Sequence, residues 1–201
     1  MKNILINNGA LGRQGKTTIA YTLYQQCPGY RFVTNDIDNA SINLEKYIKP
    51  GELFHFDQDD SIALPDNGPF IFDFGGKPDD RILPVAAFVD LIIVPLHYQS
   101  THELQVTIKN INALKKENPN VVVVINNSKN SDDVKAIKLA LTSIQLDVDV
   151  LEISHSAYIH RLANEGKSIY EVATANKADN TRLRKKLIPQ FEKLIKLISG
   201  E

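Results

Sequence analysis

Cysteine occurs once in this 201-residue sequence, as Cys27. An internal disulfide is thereby excluded, and a lone thiol fits a reducing compartment. A dominant charge is missing too. At a net −1, the chain as a whole has no pull toward nucleic acid or an anionic membrane, so any such contact must come from a local patch. Long apolar runs are also lacking. The opening MKNILINNGALG is far short of the roughly 7–15 apolar residues of a signal-peptide core or the about 20 of a membrane span, which predicts a cytoplasmic protein. His55, His97, His102, His155 and His160 form no helical i, i+4 pair and have no cysteine beside them, which argues against a metal site of the zinc type.

What is present is the balance of an ordinary folded protein, 43% hydrophobic and 23% charged. With no internal repeat and no linker, one domain spanning 1–201 is expected. Apolar runs of strand length fall at Ile4–Ile6, Arg31–Thr34, Pro69–Phe74, Leu91–Leu96, Val121–Ile125 and Val148–Ile153, with a shorter extended piece at Leu53–Phe56. Most are nearly continuous and β-branched, as strands covered on both faces are. Between them lie helical patterns: Thr18–Gln26, ended by Pro28-Gly29; Thr101–Glu117, with Leu104, Ile108, Ile111 and Leu114 in phase; and Ser131–Gln145, with a Ser cap and Asp132 and Asp133 in its first turn. A basic amphipathic stretch, Asn176–Ser199, is interrupted by Pro189. Such alternation predicts an α/β fold, a mostly parallel sheet with helices on both faces.

The stretch NNGALGRQGKTTIAY, residues 7–21, follows the first strand and runs into a helix. That order is what a phosphate loop requires: converging backbone N–H groups and the positive end of a helix dipole. Gly9, Gly12 and Gly15 supply the flexible points, Lys16 a cation for phosphate and Thr17 a hydroxyl for Mg²⁺. Ala10 stands where the common pattern has its first glycine. Two further segments carry carboxylates at strand ends, Asp36 and Asp38 in FVTNDIDNAS and Asp73 in PFIFDFGG, where Gly75-Gly76 leaves room for a γ-phosphate. Each alone also reads as a turn residue. Asn126-Asn127, closing VVVVINN, reads either as a turn or as amides for a purine edge. The guanine pattern N-K-x-D is absent, which favours adenine.

In this order the motifs resemble the deviant-Walker ATPases of the ParA/MinD/Soj group, relatives of the nitrogenase iron protein. The resemblance covers most of the chain. It rests on Leu11-Gly12-Arg13-Gln14-Gly15-Lys16-Thr17-Thr18 against K-G-G-x-G-K-T-T, on Asp36-Ile37-Asp38, on Asp73, on VDLIIVPLHYQSTHEL, and on ISHSAYIHRLANEGKSIYEV with its Gly166-Lys167. It implies a P-loop NTPase architecture that binds ATP or ADP with Mg²⁺. Gly12, Arg13, Gln14, Gly15, Lys16, Thr17 and Thr18 would surround the phosphates, with Gly75 near the γ-phosphate. Thr17, Asp36 and Asp73 would hold the metal and its waters, and Asp38 would position the hydrolytic water. Asn127 would read the base, with Ser154 and His155 lining it.

Two departures stand out. The family's signature lysine, which crosses an ATP-bound homodimer, is Leu11 here. Arg13 replaces a family glycine, and its guanidinium either substitutes for that cation or is a solvated loop residue. The resemblance implies an ATP-dependent homodimer, slow hydrolysis and a DNA-bound adaptor protein as partner, in segregation or positioning of DNA or a large complex. A non-hydrolysing nucleotide module and a small-carboxylate-activating enzyme of the dethiobiotin-synthetase type are the alternatives. Because the sequence starts directly at the first strand, no separate operator-reading domain is expected. In the last segment Arg182, Arg184, Lys185 and Lys186 form a basic cluster. It reads as the solvated face of a packing helix, as a patch for non-specific DNA or, least favoured, as a membrane-surface helix.

Overall fold

A computed structural model of the chain describes residues 1–9, 11–36, 45–57, 61–65, 68–76, 78–156, 165–175, 181 and 183–199. Seven strands form one sheet: β1 (Ile4–Ile6), β2 (Arg31–Thr34), β3 (Leu53–His55), β4 (Phe70–Asp73), β5 (Leu91–Leu96), β6 (Val121–Ser128) and β7 (Asp149–Ser154). Their spatial order is β3-β2-β4-β1-β5-β6-β7 and every pairing is parallel. The helices are α1 (Lys16–Gln26), α2 (Ile82–Phe88), α3 (Thr101–Glu117), α4 (Ser131–Ser143), α5 (Ile169–Ala175) and α6 (Ile188–Ser199), the last entered through a π-helical turn at Leu183–Leu187.

The period of two along each strand divides the core. Ile4, Ile6, Val122 and Val124 face α1, α5 and α6, while Leu5, Phe72, Val94 and Val123 face α2, α3 and α4. Strands buried on both faces are why the sequence runs are continuous rather than alternating. Phe191, Leu194 and Ile198 bury the apolar stripe of α6 completely.

The expected α/β architecture is the one found, with local differences. The extended piece near Leu53 is a true edge strand, joined to β2. For α4 the cap is Asn130, whose side chain accepts from the Asp133 N–H, not Ser131. Of the basic helix expected over 176–199, residues 176–180 and Arg182 lie outside the described residues; Thr181 is helical, and the π-helical turn at Leu183–Leu187 runs directly into α6 at Ile188, one residue before Pro189. Pro189 has no N–H to donate to the turn before it, and the wider π-helical turn stands at that point. Helix α2 has no counterpart among the sequence expectations, because its seven residues are too few to give a helical period. Before α5, Ser168 and Glu171 form a reciprocal capping box. Just upstream, Gly166, with φ +63°, packs flat against the Tyr47 ring, where a Cβ would lie 2.1 Å from Cδ1.

The topology singles out one place. From β1 the chain goes through α1 toward β2, and from β4 it goes through α2 to β5 on the far side of β1. Connections leaving adjacent strands in opposite directions open a crevice at their carboxyl ends. Register puts Ile6 beside Asp73 at that point.

Candidate functional site

Residues 11–15 form a loop leading into α1, and the loop is anchored from below. Gln14 is buried, its side-chain oxygen accepting from the His97 N–H at 2.7 Å and its amide donating to the Gly12 carbonyl at 3.3 Å. Asn126 donates to the Gln14 carbonyl at 2.9 Å. The same amide nitrogen would lie 2.1 Å from a Cβ on residue 15, and Gly15 has φ +86°, so no side chain fits there on either ground. Arg13 also adopts a left-handed backbone, φ +57°, which costs an ordinary residue energy and is typical of functional loops.

Unlike α3 and α4, α1 has no side-chain cap. Its first N–H groups face the crevice unclaimed by a capping oxygen, the arrangement that favours an anion. Lys16 is buried beside them and donates to the Leu11 carbonyl at 2.6 Å. Burial lowers its pKa, opposed by the nearby carboxylates of Asp73 and Asp36.

Asp73, at the end of β4, is wholly buried. Neither of its oxygens makes a hydrogen bond of normal geometry among the described residues. Burial pushes its pKa up to about 7, against the pull of the Thr17 hydroxyl and the Lys16 ammonium, while Asp36 adds to the rise. A buried carboxylate with open lone pairs beside a threonine hydroxyl suits the hydrated, oxygen-seeking Mg²⁺ ion. The donor set therefore fits that metal. Gly75, by contrast, is engaged. Its N–H donates to Asn35 Oδ1 at 2.6 Å, and Asn35 Nδ2 donates to Asp79, which Arg81 grips through Nε and Nη2.

Two clefts adjoin at the loop. The first is lined by residues 12–18 with Asp36, Gly75 and Gly76. The second is lined by Arg13, Gly15, Thr18, His97, Asn126, Asn127 and Ser156. Arg13, Gly15 and Thr18 belong to both. The sequence-derived set is thus largely brought together, with three qualifications. Asp38 lies outside the described residues. Ser154 is buried beneath the second cleft, bonded to Gln190 and Glu152, and Ser156 lines the cleft instead. His155 reaches the cleft indirectly, through Asn127. Arg184, Lys185 and Lys186 are exposed on the turn before α6, and Arg182 is outside the described residues. His97 and Asn35 went unassigned in the sequence, although both lie just past strand carboxyl ends, where α/β sites form.

A parallel sheet with this strand order, a glycine loop between β1 and α1, and a buried aspartate closing the neighbouring strand define the P-loop NTPase fold. More narrowly, the fold is that of the ParA/MinD-type ATPases. The McdA protein of Cyanthece, in its apo form, matches 94% of this chain and 99% of its own at TM-score 0.67 and 14% identity. The MinD cell division protein of Aquifex aeolicus matches at 0.62 and 13%, covering 99% and 97%. A Borrelia burgdorferi protein described as a putative plasmid partition protein, solved with AMPPNP, matches at 0.61 and 14%, covering 96% and 100%. No family model matches the sequence, and no curated protein does.

Proposed function

We propose that this chain, acting as one domain, is an ATP-dependent switch of the ParA type that binds ATP and ADP with Mg²⁺. The observation that carries this is the convergence, at the sheet's switch point, of an uncapped helix N-terminus, buried Lys16 and the buried Asp73 carboxylate beside Thr17. Among the structural neighbours, one is described as a cell division protein and another, solved with AMPPNP, as a putative plasmid partition protein.

In this reading the N–H groups of residues 12–18 hold the phosphates. Lys16 exchanges the Leu11 carbonyl for phosphate oxygens, and Thr18 meets the α-phosphate. Thr17, Asp36 and Asp73 hold Mg²⁺ and its waters. When bound, the metal neutralises charge on the phosphate oxygens. Asp38 positions the attacking water. Gly75 leaves Asn35 for the γ-phosphate, so the Asn35–Asp79–Arg81 network at the start of α2 reports whether that phosphate is present. Asn127, with His155 behind it and Ser154 supporting the same loop, faces the base.

Leu11 cannot supply a charge across a dimer, so turnover is slow, with Arg13 as the substitute cation at the junction of the two clefts. The absence of that lysine also favours a second reading, a module that binds nucleotide without hydrolysing it. The partner is a DNA-bound adaptor protein, with an ATP-dependent homodimer as the active form and non-specific DNA meeting the basic turn before α6. Among the described residues no helix is long and apolar enough to cross a membrane.

Equilibrium titration with ATP and ADP in Mg²⁺, on wild type and Lys16→Ala, tests the reading. Removing a charge-assisted contact worth about 1.5–3 kcal/mol weakens binding roughly 10- to 100-fold. Phosphate release measured on the same samples separates slow turnover from none.

A further inference from the structure

The second cleft contains a three-residue unit. Asn127, just past the apolar part of β6, has φ +59°, a left-handed conformation that asparagine tolerates better than most residues. This turn sets its carboxamide between two imidazoles. Its Nδ2 lies 3.1 Å from Nε2 of His97, at the end of β5, and its Oδ1 lies 2.5 Å from Nδ1 of His155, after β7. His155 is held in turn by its backbone N–H, which donates to the Ser128 carbonyl at 2.8 Å.

We propose that His97 and His155 are positioning residues that fix which end of the Asn127 carboxamide faces a purine, and thereby make this site select adenine over a 6-oxo purine. The proposal rests on the cleft being the base side of a nucleotide site.

The proposed orientation is the one in which His97 and His155 both carry their proton on Nδ1. A carboxamide has two N–H donors and two lone pairs, and a neutral imidazole has one donor and one acceptor. Asn127 donating to His97 Nε2 requires the His97 proton on Nδ1. Gln99 Nε2 lies 3.2 Å from that nitrogen, so the proposed unit requires the exposed Gln99 amide to turn over and present its oxygen. His155 donates from Nδ1 to Asn127 Oδ1. Turning the Asn127 amide over would then set donor against donor at one ring and acceptor against acceptor at the other, and relieving this needs a proton moved on both. One donor and one acceptor of the amide stay open, in a fixed order. Adenine offers an amino donor at C6 next to a ring-nitrogen acceptor, the match for an asparagine amide. Hypoxanthine offers a carbonyl at C6, an acceptor that meets Oδ1 and loses the bond.

The lock also depends on His97 being neutral. A proton on Nε2 would oppose the Asn127 N–H and release the amide. Around His97 stand Glu103 from α3, Lys129 after β6, His155 after β7 and the Arg13 carbonyl from the loop; burial, Lys129 and His155 favour the neutral ring, and Glu103 and the Arg13 carbonyl oppose them. Burial is the largest of these influences, so the neutral form persists below the usual histidine range.

The test measures dissociation constants for ATP and ITP with the full chain and Mg²⁺, from pH 8 down to pH 5. The variants are His97→Phe, which keeps a ring but no acceptor, and His97→Gln, whose amide oxygen restores one. Wild type at pH 8 is expected to prefer ATP on the order of tenfold, with the preference shrinking as His97 protonates. His97→Phe brings the ratio close to one at every pH while phosphate-driven binding survives, and His97→Gln recovers the preference without its pH dependence. Ring ¹⁵N shifts in the nucleotide-free chain should report Nδ1–H on both histidines. Wild type that binds ATP and ITP alike, or a His97→Phe ratio equal to wild type, overturns the proposal alone. Wild type that binds neither nucleotide overturns the reading of the site and this proposal with it.

Discussion

Asp73 concentrates the site's electrostatics in one side chain. An aspartate in an unfolded chain titrates near 3.9, whereas burial raises this one to about 7. Between those values the folded chain holds a proton that the unfolded chain has released. The stability Asp73 contributes is therefore full below about pH 4 and is lost as pH rises to about 7. Asp73→Asn should flatten that decline by up to one proton, about 1.4 kcal/mol per pH unit, in urea midpoints collected from pH 4 to pH 8. An unchanged slope would mean that Asp73 is ionised in the folded chain throughout. Asp73 was legible in the sequence because an aspartate at a strand end, followed by two glycines, is a local pattern. Its complete burial beside Thr17 and Lys16 was not, since that depends on what distant segments bring around it. The same holds for His97, whose role comes from Asn127 and His155, far away in sequence but neighbours across the sheet edge.

At the scale of elements, the ends of β2 and β4 and the start of α2 are tied by one side chain. Asn35 accepts from Gly75 and donates to Asp79, and the Arg81 guanidinium, reaching the Asp57 carbonyl as well, closes the network. Asn35→Ala should cost about 1–3 kcal/mol, the penalty for leaving buried partners unsatisfied, read from chemical denaturation. It should also shift preference toward ATP over ADP, because the Gly75 N–H is no longer held. Equal affinities before and after would remove Asn35 from the switching scheme. Here too the sequence reads unevenly. Helices α3 and α1 and all seven strands follow from apolar runs and periodicity, which are properties of neighbours in the chain. Helix α2 has too few residues to announce a period, and it is secured by the α3 and sheet residues packed on it. The cap of α4 falls one residue earlier, at Asn130 rather than Ser131, as happens when several capping residues are adjacent.

Across the whole molecule, the order β3-β2-β4-β1-β5-β6-β7 places the loop, Asp36, Asp73 and the Asn127 unit along one carboxyl edge. The strand runs predicted a parallel sheet, but not that order, because crossovers are set by packing between distant segments. The exposed Arg184, Lys185 and Lys186 sit on the face carrying α1, α5 and α6, since their turn buries Leu183 and Leu187 in that core. If they meet phosphates, replacing all three by alanine lowers the steepness of log affinity for duplex DNA against log salt by about 0.9 for each phosphate no longer neutralised. An identical slope would assign them to solvent.

Every role proposed for this chain depends on residues 12–18 and Asp73 forming a nucleotide site. The decisive experiment is calorimetric titration of Mg²⁺-ATP into wild type and Lys16→Ala. Saturable binding near one nucleotide per chain, weakened at least about tenfold in Lys16→Ala, is the predicted result. Wild type that takes up no nucleotide, or Lys16→Ala that binds as tightly as wild type, would contradict it.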